Sequence, residues 1–561
     1  QEWAYWQNGM NNPYWMVNTR NSISEEERAY GYISANYQII DGLKIQGRLS
    51  LDRTKMKGTS ERMATTWNIS AMEDYGMYGQ DLNWINEVYV DALLSYDKQI
   101  KDFSISATTG WTGHTLKGET QKLWAKATTA NWKHDTMPTL INFFEPSVSQ
   151  GNVSERSYTL SSNWDKGLLF TGQIGWQEKV YLEGSYRRDW YRAFKQYSYR
   201  GTPTNYGYFS VGANALLHQI VTLPEVITNL KVRASYSEVG NSIPNVLYNA
   251  RNTDPLTGAA VPSSYSYFNN PIPEKTKSFE AGFDISLFGS ALNWDMTYYN
   301  SAMHNSYLTI SDLGGLKKPV NAGVIRNQGI ETTLSYNLAF AKDWMWRTSV
   351  NFSYNYNKIE KTYTKEDGTS AKLEQSIAGG KVMVRYDEGG SYGDLYAQDF
   401  KRNEDGSIKL VNGAPQLDTQ NYVYLGNMNS KFNLGWSNTI NYKDFSLYFL
   451  INGRIGGKVI SLTEGMLDAV GNSQRTAEAN NLYTATGEPA MYMSDGQLVS
   501  IEKYYRQVGG NTYGTQYVYN ATNFRLGELS LGYTFRNLFG ASKHLSLSLV
   551  ARNLCFLYKD A

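Results

Sequence analysis

The sequence predicts an all-β chain that forms a transmembrane antiparallel β-barrel, and three observations support this fold class. Apolar and polar residues alternate strictly over runs of roughly 9–13 residues, and such runs recur along the 561 residues. Short turns and long loops follow one another in strict alternation. Aromatic residues make up 14% of the chain, and aromatic girdles are typical of barrels that cross a membrane.

The first predicted hairpin shows the alternation clearly. Within Leu43–Leu51 the leucine and isoleucine side chains fall on one face, and Lys44, Gln46 and Arg48 fall on the other. A period of two residues indicates a β-strand, because successive side chains of a strand point to opposite faces. Asp41–Gly42 precedes this strand, and that dipeptide favours a tight hairpin turn.

The same reasoning predicts sixteen strands in eight hairpins. They are residues 27–40 and 43–53, 86–99 and 102–112, 167–177 and 179–190, 205–221 and 230–238, 276–288 and 291–304, 326–340 and 344–358, 430–442 and 445–454, and 523–535 and 544–553. Most are joined by short turns such as Gly289–Ser290 and Lys443–Asp444. The longest segments between hairpins are 359–429 and 455–522.

This arrangement predicts an orientation in a membrane. Membrane barrels place short turns in the periplasm and long loops outside, so Lys443–Asp444 should face the periplasm and 359–429 should face outward. A sheet edge left in lipid would expose unpaired backbone groups, so the sheet must close on itself. The alternative is a soluble β-sandwich array or β-helix, which would also alternate but gives no reason for the unequal connections.

Composition and motifs exclude several other classes. Fifty-three basic and 52 acidic residues give a net charge of +1, which offers no electrostatic case for binding nucleic acid. The single cysteine, Cys555, allows no internal disulfide. No apolar run approaches the roughly 20 residues of a transmembrane helix. No catalytic, cofactor-binding or metal-binding motif is present, so we expect no enzyme, no cofactor and no metal.

One segment, Asn403–Ser407, admits two interpretations. It reads first as a turn, continued by Ile408–Val411 and Asn412–Gly413 as a small hairpin outside the membrane. The alternative is a calcium loop, in which Asn403 and Asp405 would be ligands. Lys401 and Asn412 then occupy the two end positions, where acidic ligands belong, so the turn is favoured.

Aromatic residues of the loops are the candidate substrate-binding residues. Their rings can stack on sugars or pack against peptide side chains, with hydroxyl or indole groups adding polar contacts. The alternative is that they are girdle or loop-core residues. The candidates are Trp6, Tyr14, Trp15, Tyr75, Tyr78, Tyr392 and Tyr396. Four charged residues on polar strand faces are predicted to face the lumen: Arg48, Asp284, Glu331 and Arg347.

Several stretches carry a family resemblance. The stretches are Asn12–Asn18 (NPYWMVN), Val232–Asn241 (VRASYSEVGN), Glu274–Asp284 with Asp295–Asn300, Asn321–Glu331, Leu425–Phe432 with Tyr442–Ser446, Phe524–Tyr533 and Ala551–Leu554. In their order and spacing they resemble the barrel of SusC/RagA-type TonB-dependent transporters of the outer membrane. Ser430 departs from the family pattern, which has proline there.

The resemblance implies an architecture and a function. The family's barrel has 22 strands around a plug, as in the outer-membrane transporters whose lumen is plugged. Residues 1–561 are therefore expected to be its C-terminal portion, with about 16 strands and with the plug, the first strands and the last strand outside the chain. The implied function is import of an oligosaccharide or a peptide across the cell outer membrane, through a barrel embedded in outer-membrane lipid.

The resemblance also implies partners. A SusD-like surface lipoprotein would act as a lid, and TonB–ExbB–ExbD would act through the N-terminal part. Loops as long as 359–429 and 455–522 are usually functional rather than mere connectors, so we also predict that these two form much of the outer vestibule and the docking surface for the lipoprotein. A passive large outer-membrane porin and a surface adhesin or assembly barrel remain alternatives.

Overall fold

The structure is a computed structural model that describes most of the chain. The described residues are 14, 17–18, 20–62, 77–126, 153–195, 197–198, 201–243, 252–253, 260–261, 268, 271–311, 317–365, 368–371, 373–377, 382–479, 487, 489–509, 514–538, 540 and 543–560.

Sixteen long strands form one antiparallel sheet, here called the wall sheet, in which neighbours along the chain are neighbours in the sheet. The strands are β1 Arg20–Ile40, β2 Leu43–Arg62, β3 Met77–Ile100, β4 Phe103–Lys126, β5 Val153–Trp176, β6 Val180–Tyr191, β7 Asn205–Leu216, β8 Ile227–Asn241, β9 Glu274–Leu287, β10 Leu292–His304, β11 Val324–Ala341, β12 Trp344–Lys361, β13 Phe432–Tyr442, β14 Phe445–Ile455, β15 Asn523–Arg536 and β16 His544–Lys559. All sixteen predicted strands are confirmed, in the predicted order.

The strand register places apolar and polar residues on separate faces. Leu49 in β2 pairs with Ile33 on one side and Val90 on the other, whereas Arg48 pairs with Ser34 and Asp91. The tight turns lie where they were predicted. Gly42 has a φ of +80° and Lys443 a φ of +51°, so each turn contains one residue in the left-handed region that tight turns commonly use.

Two features of the strands differ from the prediction. The wall strands are longer than predicted: β2 continues to Arg62, where Lys55 and Lys57 pair with Glu27 and Glu25 of β1. Both faces are polar there, so the alternation that signals a strand is absent. The predicted strand 205–221 is wrong at its end, because β7 stops at Leu216 and a 3-10 turn follows, in which the Ile220 N–H donates to the Leu217 carbonyl at 3.0 Å.

The chain divides into two compact units. The first is built from described residues of 1–174, 184–209 and 242–271, and the second from 175–183, 210–241 and 272–561. In the first unit, polar side chains form hydrogen bonds between strands. Arg48 Nε donates to Asp91 Oδ2 at 2.8 Å, and Arg187 Nη2 donates to Thr112 Oγ1 at 3.1 Å. Arg187 reaches Thr112 over Gly167, where a Cβ would come within 2.5 Å of its guanidinium.

Most of the remaining secondary structure lies in the second unit. Its short strands are Tyr307–Ser311, Lys317–Asn321, Leu373–Ile377, Val382–Tyr386, Asp394–Phe400, Leu410–Val411, Ala414–Pro415, Leu417–Asn427, Lys458–Ile460, Ala490–Tyr492, Leu498–Ser500 and Val518–Asn520. Its helices are α2 Leu462–Ala469, α3 Gln474–Ala479, α4 Ile501–Val508 and the 3-10 turns Leu217–Gln219 and Thr515–Tyr517.

The first unit contains α1 Arg192–Lys195 and the two-residue strands Asn252–Thr253 and Ala260–Val261. Phe194 of α1 is buried and packs against Tyr191 and Tyr206, with ring centroids 5.8 and 4.9 Å away. None of the helices in the described part of the chain combines the length and the apolar character needed to cross a lipid bilayer.

Candidate functional site

The described parts of the two longest loops fold together into one body, here called the loop module (the described residues of 373–427 and 458–520). Four strands form its sheet, in the order Leu373–Ile377, Val382–Tyr386, Asp394–Phe400 and Leu417–Asn427. Alternate strand residues and one face of α4 meet in its core, as the periods of strand and helix dictate. The buried core consists of Val382, Val384, Leu395, Ala397, Ile501, Tyr505, Val508 and Tyr517.

A buried charge pair ties α2 to α3 within this module. Asp468 is 1% exposed and accepts hydrogen bonds from Arg475 Nε at 2.7 Å and from the Tyr517 hydroxyl at 2.9 Å. The Arg475 guanidinium also lies 5.0 Å from the centre of the Tyr517 ring. Burial alone would lower the pKa of Arg475, but its hydrogen bond and charge attraction to Asp468 raise that pKa above its usual value.

A second link joins the two loops directly. Asp495 Oδ2 accepts a hydrogen bond from the Ile408 N–H at 2.6 Å, and Gln497 Nε2 donates to the Ile408 carbonyl at 2.8 Å. Ile408 is fully buried against Met493 and Val499. The hydrogen bond from Ile408, followed by one from Gln497, lowers the pKa of Asp495. The loops are therefore held as a folded unit and do not act as independent connectors.

One turn of the module, Asp387–Asp394, is fastened to the wall sheet. Asn357 Oδ1 of β12 accepts hydrogen bonds from the Tyr392 N–H at 2.6 Å and from the Ser391 hydroxyl at 3.1 Å. Asn427 and Asn429 donate from the other side to the Tyr392 carbonyl, at 3.1 and 3.0 Å. Asn357 belongs to the face of β12 that also carries Asn351, here called the polar face, so the turn lies over that face.

An asparagine-rich cavity of about 650 Å³ opens beneath this turn. Asn357 Nδ2 donates to Asn327 Oδ1 at 2.8 Å, which fixes one wall of the cavity. Amide side chains offer both donors and acceptors, so this lining suits a ligand rich in hydroxyl or amide groups. Its lining residues are Met303, Ile325, Asn327, Tyr354, Asn355, Tyr356, Asn357, Gly389, Gly390, Ser391, Tyr392, Asp394, Tyr424, Asn427, Asn429, Ser430 and Lys431.

A second cavity of about 680 Å³, here called the hairpin cleft, lies on the other side of Tyr392. It separates the hairpin Tyr307–Asn321 from the first part of loop 359–429. Its lining mixes apolar side chains with two lysines and one glutamate. The lining residues are Ser306, Tyr307, Leu308, Thr309, Ile310, Gly323, Ile325, Ile359, Lys361, Thr362, Lys365, Ala371, Leu373, Glu374, Tyr386 and Tyr392.

The predicted aromatic residues differ in how exposed they are and in what they pack against. Tyr392 is 50% exposed and lines both cavities. Tyr396 is packed, with the Arg385 guanidinium 4.4 Å from its ring centre and the Tyr424 ring 5.4 Å away. Tyr78 is only 6% exposed, whereas Tyr14 is 77% exposed. Trp6, Trp15 and Tyr75 lie outside the described residues.

The four predicted lumen residues all lie on polar strand faces, and each has polar neighbours across the sheet. Arg48 pairs with Asp91, and Arg347 Nε donates to Asn337 Oδ1 at 2.7 Å. Asp284 lies opposite Lys231 and Asp295 in the register. Glu331 lies opposite Thr297 and Ser353. That this face lines a lumen stays a prediction.

The structure also bears on the segment Asn403–Ser407. Asp405 Oδ1 accepts hydrogen bonds from the Ser407 hydroxyl at 2.6 Å and from its N–H at 3.0 Å, and these bonds lower the pKa of Asp405. The segment forms the predicted turn, and the small hairpin that follows pairs Leu410–Val411 with Ala414–Pro415. Within the described ranges, no group of three or more His, Cys, Asp or Glu side chains could hold a metal ion.

The sequence analysis named Tyr392 as a candidate but did not name its asparagine partners, and the role of Tyr392 in binding stays a prediction. Asn357 was predicted only as one polar position of a strand. Asn427 and Asn429 follow it by about 70 residues, and nothing local in the sequence connects them. The only local hint of these contacts in the sequence was that two asparagines, Asn355 and Asn357, stand on the same face at the end of a predicted strand.

Comparison with known proteins places the chain in a family. The family described as TonB dependent receptor-like, beta-barrel, matches residues 64–554. The chain is 22% identical to TonB-dependent receptor P39 of Formosa agariphila over 94% of this chain and 54% of that protein. It is 21% identical to TonB-dependent receptor SusC of Bacteroides thetaiotaomicron over 47% of this chain and 26% of SusC.

The solved structures agree on the fold. The RagAB peptide importer in its open-open state superposes with a TM-score of 0.76 at 18% identity, covering 98% of this chain and 59% of the other. The chain spans between about a quarter and about half of the length of the curated relatives it matches. The predicted resemblance to SusC/RagA-type proteins is confirmed. The chain belongs to the TonB dependent receptor-like β-barrel family, whose members are outer-membrane proteins.

Proposed function

We propose that the chain forms part of the wall and the outer vestibule of an energy-coupled importer, which takes up oligosaccharides or peptides across the outer membrane. The observation that carries the proposal is the turn Asp387–Asp394. Asn357 fastens it over the polar face of β12, with a cavity on each side of Tyr392. A channel wall that bears a fixed, ligand-sized site at one end suits selective capture better than free diffusion.

The partners of the proposed importer follow the same reasoning. A surface lipoprotein of the SusD type would close over the loop module, and TonB–ExbB–ExbD would supply energy through the part of the protein that carries the plug. The family membership and the likeness to SusC support this assignment. The RagAB structure is named as a peptide importer, which keeps peptides beside oligosaccharides as substrates.

The test uses the full-length transporter in its own cell. Asn357→Ala removes the acceptor that holds the turn, and Asn351→Ala is the matched control on the same face of β12, where Asn351 accepts from Thr333 instead. We expect growth on the transported nutrient to require TonB and to fall in Asn357→Ala, while Asn351→Ala stays near wild type. Heat-modifiable migration in gels should show intact barrels in both variants.

Two outcomes would redirect the assignment. Uptake that persists without TonB would favour a passive porin. Normal growth of both variants on every nutrient, with normal co-purification of the lipoprotein, would favour an adhesin or assembly barrel.

A further inference from the structure

A row of charged side chains crosses five strands of the wall sheet on the face that carries Phe283, here called the apolar face. Residues that are opposite each other in the register share a face, and every second residue along a strand returns to it. Lys277 is six residues from Phe283 in β9 and therefore lies on the apolar face. Following the register from Lys277 across β8 to β12 gives the row Glu238, Lys277, Ala302, Arg326 and Lys358.

The apolar face changes in character towards this row. Level with Phe283, the five strands carry Val232, Phe283, Met296, Thr332 and Phe352, of which all but the threonine are apolar. The positions next to the charged row are aromatic or carry an amide, and they are Tyr236, Phe279, Asn300, Gln328 and Tyr356. Barrels in a membrane have an apolar band with a girdle of aromatic residues at each border. The order of residues therefore puts the charged row just beyond the girdle.

The length of β9 agrees with this position. Lys277 precedes Phe288, beside the short turn Gly289–Ser290, by 11 residues, which is about 37 Å along the strand at ~3.4 Å per residue. A strand tilt of about 40° reduces this to about 29 Å along the membrane normal, whereas the apolar band of a barrel is ~25 Å tall. The short turns are predicted to face the periplasm, so the row lies at the level of the lipid headgroups on the outer side.

The two carboxylates at this level are each matched by one cation. Arg326 donates to Glu360 from Nε at 2.5 Å and from Nη2 at 3.2 Å, and its Nη1 donates to Asn300 Oδ1 at 2.6 Å. These three bonds hold the guanidinium in place. Glu238 accepts a hydrogen bond from Lys275 Nζ at 2.9 Å. The negative charge at this end of the apolar face is therefore already balanced.

Two further cations of the row add positive charge without such a partner. Lys277 in β9 and Lys358 in β12 are exposed, and neither forms an ion pair with a carboxylate of the described residues. They are three strand spacings apart, or about 14 Å. Between them in the register lie Arg326 and Ala302, and Ala302 is only 4% exposed. Because Ala302 carries only a methyl group, no large side chain of that position stands between Lys277 and Arg326.

We propose that Lys277, Arg326 and Lys358, here called the cation row, bind the phosphate of a lipid headgroup in the outer leaflet of the membrane. Phosphate oxygens accept charge-assisted hydrogen bonds from lysine and arginine, and basic residues at a membrane surface attract anionic lipids. The row continues the apolar face, where Phe279 and Tyr356 are 46% and 45% exposed. The acyl chains of the same lipid can pack on these rings, which a soluble anion cannot do.

This inference goes beyond the proposed import function. It requires only that the apolar face meets lipid, and it does not depend on energy coupling or on the substrate. The cation row would fix the height of this part of the wall relative to the lipid headgroups.

The experiment uses full-length protein purified in a neutral detergent, with bound lipid counted by native mass spectrometry. The first probe is dioleoyl phosphatidic acid, and the second is dioleoylglycerol, which has the same acyl chains but no phosphate. Inorganic phosphate is added as a competitor. We expect phosphatidic acid to bind about tenfold more tightly than dioleoylglycerol or better. Inorganic phosphate at the concentration of the lipid should not displace it, because it lacks the acyl chains.

Three double variants test the cation row itself. Lys277→Gln with Lys358→Gln should weaken binding of phosphatidic acid about tenfold, since each basic residue near a membrane surface contributes to the attraction. Lys277→Arg with Lys358→Arg keeps both charges, so it should change binding by less than about threefold. The matched control is Lys401→Gln with Lys503→Gln, which removes two cations from exposed positions of the loop module. We expect the control to change binding by less than about twofold.

Three results would overturn the proposal: equal binding of the two lipids, equal loss of binding in the glutamine variant and in the control, or displacement of the lipid by an equal concentration of inorganic phosphate. If the double glutamine variant does not assemble, Lys277→Gln and Lys358→Gln decide singly, each with an expected loss of about threefold. Normal TonB-dependent uptake by a protein without lipid selectivity would remove the cation row and leave the import function standing. Lipid binding in the expected pattern, together with TonB-independent uptake, would do the reverse.

Discussion

The hydroxyl of Tyr299 donates a hydrogen bond to Oδ1 of Asn355 at 3.0 Å, although a whole strand lies between them. The residue between them in the register is Gly329, opposite Tyr299 in β10 and Asn355 in β12. A Cβ at position 329 would lie 2.0 Å from the Tyr354 carbonyl oxygen and 2.7 Å from the Tyr299 hydroxyl. Glycine at this position therefore lets one wall strand brace the cavity-lining side chain of another.

Gly329→Ala should destabilise the folded barrel by about 1–3 kcal/mol, because an overpacked site must displace backbone. Gly435→Ala in β13 is the matched control, since a Cβ there would meet only Asn351 atoms at 3.7 Å or beyond. The measurement is urea unfolding of the full-length protein in detergent. Equal midpoints for the two variants would show that Gly329 does not hold this packing.

Phe283→Arg should reduce the yield of folded protein far more than Asp284→Arg. Phe283 lies on the apolar face and packs edge-on against Trp294, with centroids 4.9 Å apart, so we predict that it faces lipid. Arginine at a lipid-facing site near the bilayer centre costs about 2–4 kcal/mol. The fraction of heat-modifiable full-length protein measures the difference. A greater loss of folded protein in Asp284→Arg than in Phe283→Arg would show that the face of β9 bearing Asp284 is the one that meets lipid.

Arg475→Met should loosen the loop module without preventing barrel assembly. It leaves the Asp468 carboxylate buried and short of its cation, at a cost of about 2–3 kcal/mol, since Arg475 itself is only partly buried. Arg506→Met is the control, because the Arg506–Glu502 pair on α4 is exposed and such pairs contribute little. Limited proteolysis should cleave residues 458–520 faster in Arg475→Met alone. Similar cleavage of both variants would contradict this role.

The link between the two loops should weaken in acid. The pKa of Asp495 is lowered in the folded state. The ionised carboxylate therefore stabilises the link near neutral pH, and this stabilisation is lost as the pH falls through the lowered pKa. Hydrogen exchange at the Ile408 amide should therefore speed up at the acid end of a pH series, after correction for the intrinsic rate. Asp495→Asn should exchange fast at every pH. If the protection of the Ile408 amide against hydrogen exchange does not change with pH in the wild-type protein, the ionisation of Asp495 does not control this link.

The predicted orientation can be checked on intact cells. In a Cys555→Ser background, Asp405→Cys lies at the tip of a long loop and Asp444→Cys lies in a short turn. A membrane-impermeant maleimide should label the first and miss the second. Labelling of both after outer-membrane permeabilisation is the control. The opposite labelling preference on intact cells would show that the barrel has the opposite orientation in the membrane.

The sequence alone was sufficient to identify all sixteen wall strands and their order, although not where every strand ends. Alternation over Leu43–Leu51 and the Asp41–Gly42 dipeptide identify a hairpin that the structure contains, because a period of two and a turn residue with positive φ are local properties. Local patterns failed where the strands leave the apolar layer. Apart from Met56, residues 54–62 carry no large apolar side chain on either face, so no alternation marks them, although β2 pairs with β1 up to Arg62.

Tertiary structure decided the loops and the candidate site. Val382 and Tyr517 share one core although 135 residues separate them, and Asn357 meets the Tyr392 amide from a strand that was predicted only as wall. Neither contact has a local signature, since an asparagine or a tyrosine in a loop suits solvent, packing or a ligand equally well. The folding of one loop onto the other, and of both onto the end of β12, determines which of these roles each residue has.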